Sequence, residues 1–243
     1  MDHHGATETK GGTAPPPIEP PKTPDERGVA VLAAGFCVAL VAMLIFAFLA
    51  DRIYDQEAFA LDAIANPFLH AISSPILDAV MNDITSLGSV PVVGALFALA
   101  VGILLYRGHP SRALFLVAAI GGSVALNGVL KLVVHRPRPA LPWAHVLPDY
   151  SFPSGHSMNS LVFYLAVALI LWVTYGRRAG WLAVAVALVI VAAVGFSRIY
   201  LGDHYLSDVI GGFAAGLTWL FVVALAFETI PRTWARRRAR RPT

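Results

Sequence analysis

The sequence predicts an all-α fold: a polytopic membrane protein in which six transmembrane helices form a bundle, with short amphipathic outer helices between spans one and two. Of its 243 residues 57% are hydrophobic and only 14% charged, which is too apolar and too poor in charge for a soluble domain of this length. Apolar runs of the length needed to cross a hydrocarbon core of about 30 Å recur six times. Lys and Arg are shared unevenly between the loops on the two sides of those runs.

Residues 1–27 are rich in Pro, Gly and Thr and nearly free of large apolar side chains, so they are expected to form a disordered cytoplasmic tail in which His3 and His4 are simply solvated. The first span covers about Gly28 to Ala50. It is too long for the apolar region of a secretory signal, carries Asp25 and Glu26 on its flank, and ends Ala47-Phe48-Leu49-Ala50 without a cleavage pattern; it is expected to be retained. Cys37 within it is the single cysteine, which excludes a disulfide framework or a thiolate metal cluster in one chain. Residues 51–89 are mixed. Leu61, Ile64, Phe68 and Ile72 recur at helical spacing among Asp62, Asn66 and Ser73, and Leu77, Val80, Met81 and Ile84 do so after Pro75. Pro67 and Pro75 interrupt the pattern, which predicts short amphipathic helices on the outer surface that either cover a lipid entrance or pack on the bundle.

The remaining spans are placed at about Val90 to Tyr106, Ala113 to Val134, Ser157 to Tyr175, Trp181 to Tyr200 and Val209 to Ile230, so the membrane domain is 28–230. Gly212 and Gly216 in the last span permit a close helix contact, a pattern too common in membrane proteins to indicate a dimer, so the oligomeric state is not fixed. Residues 231–243 form a polybasic cytoplasmic tail suited to anionic membrane lipids; no nucleic-acid-binding fold accompanies it, so nucleic acid is not an expected partner. With both termini cytoplasmic, only Arg52, Lys131, Arg136, Arg138 and Arg198 of the 18 Lys and Arg lie outside, which favours that orientation.

Four of those five outer cations cluster at the ends of spans three and five. Span three finishes KLVVHRPRP, supplying Lys131 and then Arg138 before Pro139; span four is entered through Pro153, Ser154, Gly155 and His156; span five ends in Ser197 and Arg198; His204 and Asp208 lead into span six. Each has an ordinary reading by itself: a snorkelling lysine, a loop charge, a satisfied interfacial histidine. Together they bring three cations, two histidines and a carboxylate to one face, and that chemistry suits phosphate. Arg offers forked donors to phosphoryl oxygens. Ser154 and Gly155 open an apolar helix whose N-terminal amides favour an anion. His204 and Asp208 are four apart, so with an early start of span six the carboxylate would hold one imidazole nitrogen and leave the other to attack. His156 is then placed to protonate a leaving group.

Lys131-x6-Arg138-Pro139, Pro153-Ser154-Gly155-His156 and Ser197-Arg198-x5-His204-x3-Asp208 resemble, in order and spacing, the three motifs of the type 2 phosphatidic acid phosphatase superfamily. The resemblance covers roughly Leu87 to Ile230. It implies a six-helix membrane phosphatase that needs no metal or other cofactor and passes through a phosphohistidine. By residue match His204 is the nucleophile, Asp208 its partner and His156 the acid, while Lys131, Arg138, Ser154, Gly155 and Arg198 bind the phosphate. His135 and Arg136 have no role in the match. The partners it implies are membrane lipids and a lipid phosphate or diphosphate substrate, such as undecaprenyl diphosphate, phosphatidylglycerophosphate or phosphatidic acid, among which the sequence does not choose.

Three rivals share some of these features. A lipid phosphotransferase would use the same site with another lipid as acceptor. An anion-binding membrane transporter requires an ionisable pathway deeper in the spans, whereas the clustered charges here stop at one face. Vanadate-dependent haloperoxidases share the motif set by resemblance, yet they are soluble.

Overall fold

The computed structural model describes residues 26–57 and 59–239. Eight helices follow one another: α1 (Glu26–Tyr54), α2 (Ala60–His70), α3 (Pro75–Ser86), α4 (Val90–Tyr106), α5 (Pro110–Val134), α6 (Gly155–Tyr175), α7 (Arg177–Tyr200) and α8 (Leu206–Ala239). No strand occurs among the described residues. Helices α1, α5, α6, α7 and α8 are each long and apolar enough to cross a membrane. The expected second span coincides with α4, but its 17 residues reach only about 26 Å at a rise of about 1.5 Å per residue. It meets the sixth-span criterion only together with α3, from which it is bent by 41°.

Local chemistry sets these boundaries. Ser74 caps α3, its hydroxyl accepting from the Leu77 amide at 3.3 Å with Pro75 at the first position; Ser89 caps α4 through Val92. Helix α5 stops where His135 adopts a left-handed conformation at φ 54° and donates its amide to Lys131 O, two residues before Pro137. The sixth span begins earlier than expected, at Leu206 rather than Val209, and its helix continues past Ile230 to Ala239. The tail expected over 1–27 lies outside the described residues except for Glu26 and Arg27, which belong to α1; of 231–243 the last four residues lie outside them.

Helix α6 lies at the centre, packed on α5, α7 and α8, with α1 against α8 and α4 against α5. Leu116, Ala119, Ile120, Val162, Ala166, Val191 and Leu220 form the buried core. The outward faces, such as Val41, Leu44 and Phe48 of α1 and Leu182 and Val189 of α7, are exposed and apolar, as a hydrocarbon solvent requires. The paired glycines of α8 are used within the chain. A Cβ on Gly212 would stand 2.7 Å from Ser154 O and one on Gly216 3.0 Å from Met158 O, so α8 approaches the mouth of α6 backbone to backbone.

Helices α2 and α3 do fill the segment between the first two spans, and in α2 the amphipathic pattern is inverted. Leu61, Ile64, Phe68 and Ile72 are exposed, whereas Asp62 and Asn66 are buried against α7 and α8. Simple apolar packing on the bundle is therefore not what holds α2. Its polar face is bound inward and its apolar face turned out, the arrangement expected of a helix at a lipid boundary.

Candidate active site

Five pieces of backbone meet at one end of the bundle. The last turn of α5 brings Lys131, the connection 135–154 brings Arg136, Arg138, Asp149 and Ser151, and the mouth of α6 brings Ser154, Gly155 and His156. The last turn of α7 carries Ser197 and Arg198, and a tight turn leads through Asp203 and His204 into α8, whose first turn holds Asp208. Gly202 makes that turn at φ 75°, a region open to glycine.

His204 is fully buried. Its Nδ1 lies 3.3 Å from Oδ2 of Asp208, and the Tyr205 amide donates to the same oxygen at 2.9 Å. The Ser151 hydroxyl also donates to Oδ2. On the other side of the ring Arg138 Nη1 is 3.1 Å from Nε2. A guanidinium only donates, so Nε2 is the unprotonated nitrogen and Nδ1 carries the proton toward Asp208. Burial pushes the imidazole down to about 4, against the opposing pull of Asp208, so the ring is neutral near pH 7. A neutral imidazole with a free Nε2 lone pair is the protonation state a nitrogen nucleophile needs.

Lys131 donates to the Asp149 carboxylate and, at 2.6 Å, to Tyr150 O. Arg138 binds Asp149 Oδ1 at 2.6 Å and Asp203 O at 2.6 Å. Arg198 is buried, with Nη1 on Thr85 Oγ1 at 2.8 Å and Nη2 on Asp203 Oδ2 at 2.7 Å; its Nε is buried with no acceptor among the described residues. His145 also meets Asp203, through its amide and Nδ1, which ties the 135–154 connection to the turn before His204.

At the mouth of α6 the Ser154 hydroxyl caps the helix, accepting from the Ser157 amide and hydroxyl, while the Ser154 amide donates to Asp208 O at 3.0 Å. The first amides with no intrahelical acceptor are those of Gly155 and His156. A Cβ on Gly155 would stand 3.0 Å from Asn127 Oδ1, so this glycine also lets α5 approach. The His156 ring makes no hydrogen bond among the described residues, and its charged neighbours are Arg198, His204, Arg138 and Lys131.

Five further residues of the site have no place in the motif pattern. Arg136 donates to Asp62 Oδ2 at 2.8 Å and Asp208 Oδ1 at 2.5 Å, with its guanidinium 4.1 Å from the centre of the Tyr205 ring. Asp62 also accepts the Ser207 amide at 2.9 Å, and Asn66 donates to Ile199 O and His204 O. Asp149 and Asp203 pair the motif cations. The one signal in the sequence was the four-residue spacing of Asp62 and Asn66 within an otherwise apolar helix. Among the described residues, Lys131, Arg136, Arg138 and Arg198 are thus matched by Asp62, Asp149, Asp203 and Asp208.

Largely buried basic residues around a neutral histidine, on a bundle of apolar helices, define a multi-pass membrane protein built to hold a phosphoryl group. The model of the PAP2 superfamily matches residues 112–232. Phosphatidylglycerophosphatase B of Bacillus subtilis is 34% identical over 193 residues, covering 78% of this chain and 94% of that protein. Undecaprenyl-diphosphatase BcrC of the same organism is 33% identical over 158 residues, covering 61% and 75%. The crystal structure of a transmembrane PAP2 type phosphatidylglycerolphosphate phosphatase from Bacillus subtilis superposes with a TM-score of 0.72 at 33% identity, over 79% of this chain and 96% of that one. The chain belongs to the PAP2 superfamily, and it is a lipid phosphatase, a membrane-embedded hydrolase.

Proposed function

We propose that the protein hydrolyses a terminal phosphomonoester or diphosphate of a membrane lipid through a phosphohistidine on His204. The observation that carries this reading is the orientation of the His204 ring, with Nδ1 committed to Asp208 and the Nε2 lone pair directed at the Arg138 guanidinium. In-line attack by Nε2 forms an N–P bond and expels the lipid oxygen, to which His156 gives a proton. Water then attacks phosphorus, returns its proton to His156, and releases inorganic phosphate with Nε2 restored. Arg138 passes from Nε2 to a phosphoryl oxygen as substrate arrives, joined by Lys131, Arg198 and the amides of Gly155 and His156. The buried Arg198 Nε, which has no acceptor among the described residues, supports this, since such a donor is unfavourable until an anion oxygen meets it. Ser154 acts indirectly, by fixing the helix mouth.

The relatives named above are a phosphatidylglycerophosphatase and an undecaprenyl-diphosphatase, which puts lipids ending in a phosphate or a diphosphate first among substrates. The distribution of Lys and Arg supports a site on the outer side of the membrane with both termini cytoplasmic. The test is release of inorganic phosphate by the purified protein from phosphatidylglycerophosphate, phosphatidic acid and undecaprenyl diphosphate, with no lipid acceptor and with chelator present. Release from at least one lipid, lost in His204→Ala, is expected. Turnover that needs a second lipid as acceptor would replace hydrolysis by transfer.

A further inference from the structure

Asp149 is the only carboxylate that touches both Lys131 and Arg138 among the described residues. Its Oδ1 accepts from Arg138 Nη2 at 2.6 Å and Nε at 3.2 Å, and its Oδ2 accepts from Lys131. The same guanidinium touches His204 Nε2, so the carboxylate sits one side chain away from the reacting nitrogen. Two oxygens held by a forked guanidinium and an ammonium reproduce the contacts that a phosphoryl group would make there.

We propose that Asp149 is a tethered counter-anion that occupies the phosphoryl seat between Lys131 and Arg138, and that it makes the site selective for dianionic terminal phosphates over phosphodiesters. This rests on the reading of the site as a phosphoryl site. The exchange is possible because neither cation depends on the carboxylate for its position: Lys131 keeps Tyr150 O, and Arg138 keeps the backbone oxygens of Asp149 and Asp203. Asp149 lies in the connection 135–154 with its side chain 52% exposed, so it has room to withdraw. The other three carboxylates of the site are buried and cannot.

Selectivity follows from charge. A tethered group competes at an effective concentration in the millimolar range. A phosphodiester brings one negative charge, no more than the carboxylate it must displace, and so gains nothing by the exchange. A terminal phosphate brings close to two, and the additional attraction to two cations favours it. The distinction matters in a membrane, where diester headgroups far outnumber terminal phosphates. Protonation does not open the seat: burial raises the Asp149 carboxyl, but the hydrogen bonds and charges of Lys131 and Arg138 outweigh this and hold it at about 2.

The test reads binding without turnover. Melting of the full-length protein in neutral detergent is followed against inorganic phosphate and against dimethyl phosphate, a monoanionic diester, and dissociation constants are taken from the shifts. Asp149→Asn is expected to bind phosphate about tenfold more tightly than the native protein, a change of about 1.4 kcal/mol. It should also bind dimethyl phosphate, which the native protein does not. Asp149→Ser removes the same charge with a smaller side chain and carries the same expectation, so the result does not hang on one variant. Unchanged or weaker phosphate binding in these variants would overturn the proposal and make Asp149 a group that positions the cations. If the native protein binds phosphate but releases none from any lipid, the hydrolytic reading fails and the counter-anion stands.

Discussion

Asp62 of α2 and Asp208 of α8 share one guanidinium, that of Arg136, at 2.8 Å and 2.5 Å. Both carboxylates are buried, and Asp208 is also the partner of His204. The carboxylate that meets His204 is therefore held from behind by a helix whose outer face is apolar, so the geometry of His204 depends on how α2 sits.

Removing Arg136 should be costly. Arg136→Ala leaves two buried carboxylates without their cation, which costs about 3–5 kcal/mol where one partner of a buried pair is lost. Arg136→Lys should be intermediate, because one ammonium does not reproduce a fork that reaches two acceptors. Asp62→Asn keeps an oxygen acceptor for the Ser207 amide and should cost least. Melting in detergent beside phosphate release orders the three; an Arg136→Ala protein as stable and active as the native one would show the shared guanidinium to be incidental.

The close approach of α8 to α6 predicts a steric effect at a residue that does no chemistry. In Gly212→Ala the new methyl stands 2.7 Å from Ser154 O, a backbone atom at the mouth that carries His156. Overpacking of this kind costs about 1–3 kcal/mol, and turnover should fall because the mouth must shift. Gly102→Ala, where no atom of the described residues lies within 4 Å of the new one, is the control and should leave both melting and turnover near native.

Much of this was legible in the sequence. The order and placement of the long apolar helices follow from run length, and the motif residues converge at one end of the bundle. What was not legible has a common cause. Asp62 and Asn66 look like the wet face of a surface helix, because periodicity gives the faces of a helix but not which one turns inward, and in lipid the water-soluble rule is reversed. Arg136 looked like a spare charge for the same reason: its partners are about 70 residues away on either side in the chain. The second span lies at Val90–Tyr106, where its run length put it, but its pairing with α3 across a bend of 41° was not legible, because run length does not report the direction of a neighbouring helix.

The burial of His204 predicts a pH dependence of stability. Its pKa is about 4 when folded against an ordinary 6.5, so between these values the unfolded chain binds more protons than the native one. The contribution is fully present above pH 6.5, weakens as pH falls, and is lost below about 4. Melting temperatures of the native protein and of His204→Asn, which does not titrate, should converge or cross as pH is lowered through that window. A difference constant from pH 7 to pH 4 would contradict a buried neutral imidazole.

The orientation inferred from the Lys and Arg distribution is open to labelling. With Cys37 replaced by Ser, a cysteine introduced at Leu147, in the connection that carries Asp149, should react in intact cells with a membrane-impermeant thiol reagent. One introduced at Gly108, between α4 and α5, should not. The reverse pattern would invert the topology and place the site on the cytoplasmic side.

The two histidines should separate by leaving group. If Nε2 of His204 forms the covalent bond, His204→Ala abolishes turnover of every phosphate ester, because no help with protonation replaces a missing nucleophile. The His156 ring makes no hydrogen bond among the described residues and has the same cations as neighbours, where it can meet the departing oxygen. A lipid monoester departs as a strongly basic alkoxide and needs that proton, whereas nitrophenolate or a lipid phosphate departs as a much weaker base and needs it less. His156→Ala should therefore lose phosphatidic acid hydrolysis by about 10²–10⁴-fold, the usual range for a general acid, and lose nitrophenyl phosphate and diphosphate hydrolysis by much less. Both variants are first shown to melt as the native protein does, since each removes a side chain beside the anion seat. Equal losses on all three substrates in His156→Ala would remove it as the acid, and a loss confined to the monoester in His204→Ala would exchange the two roles.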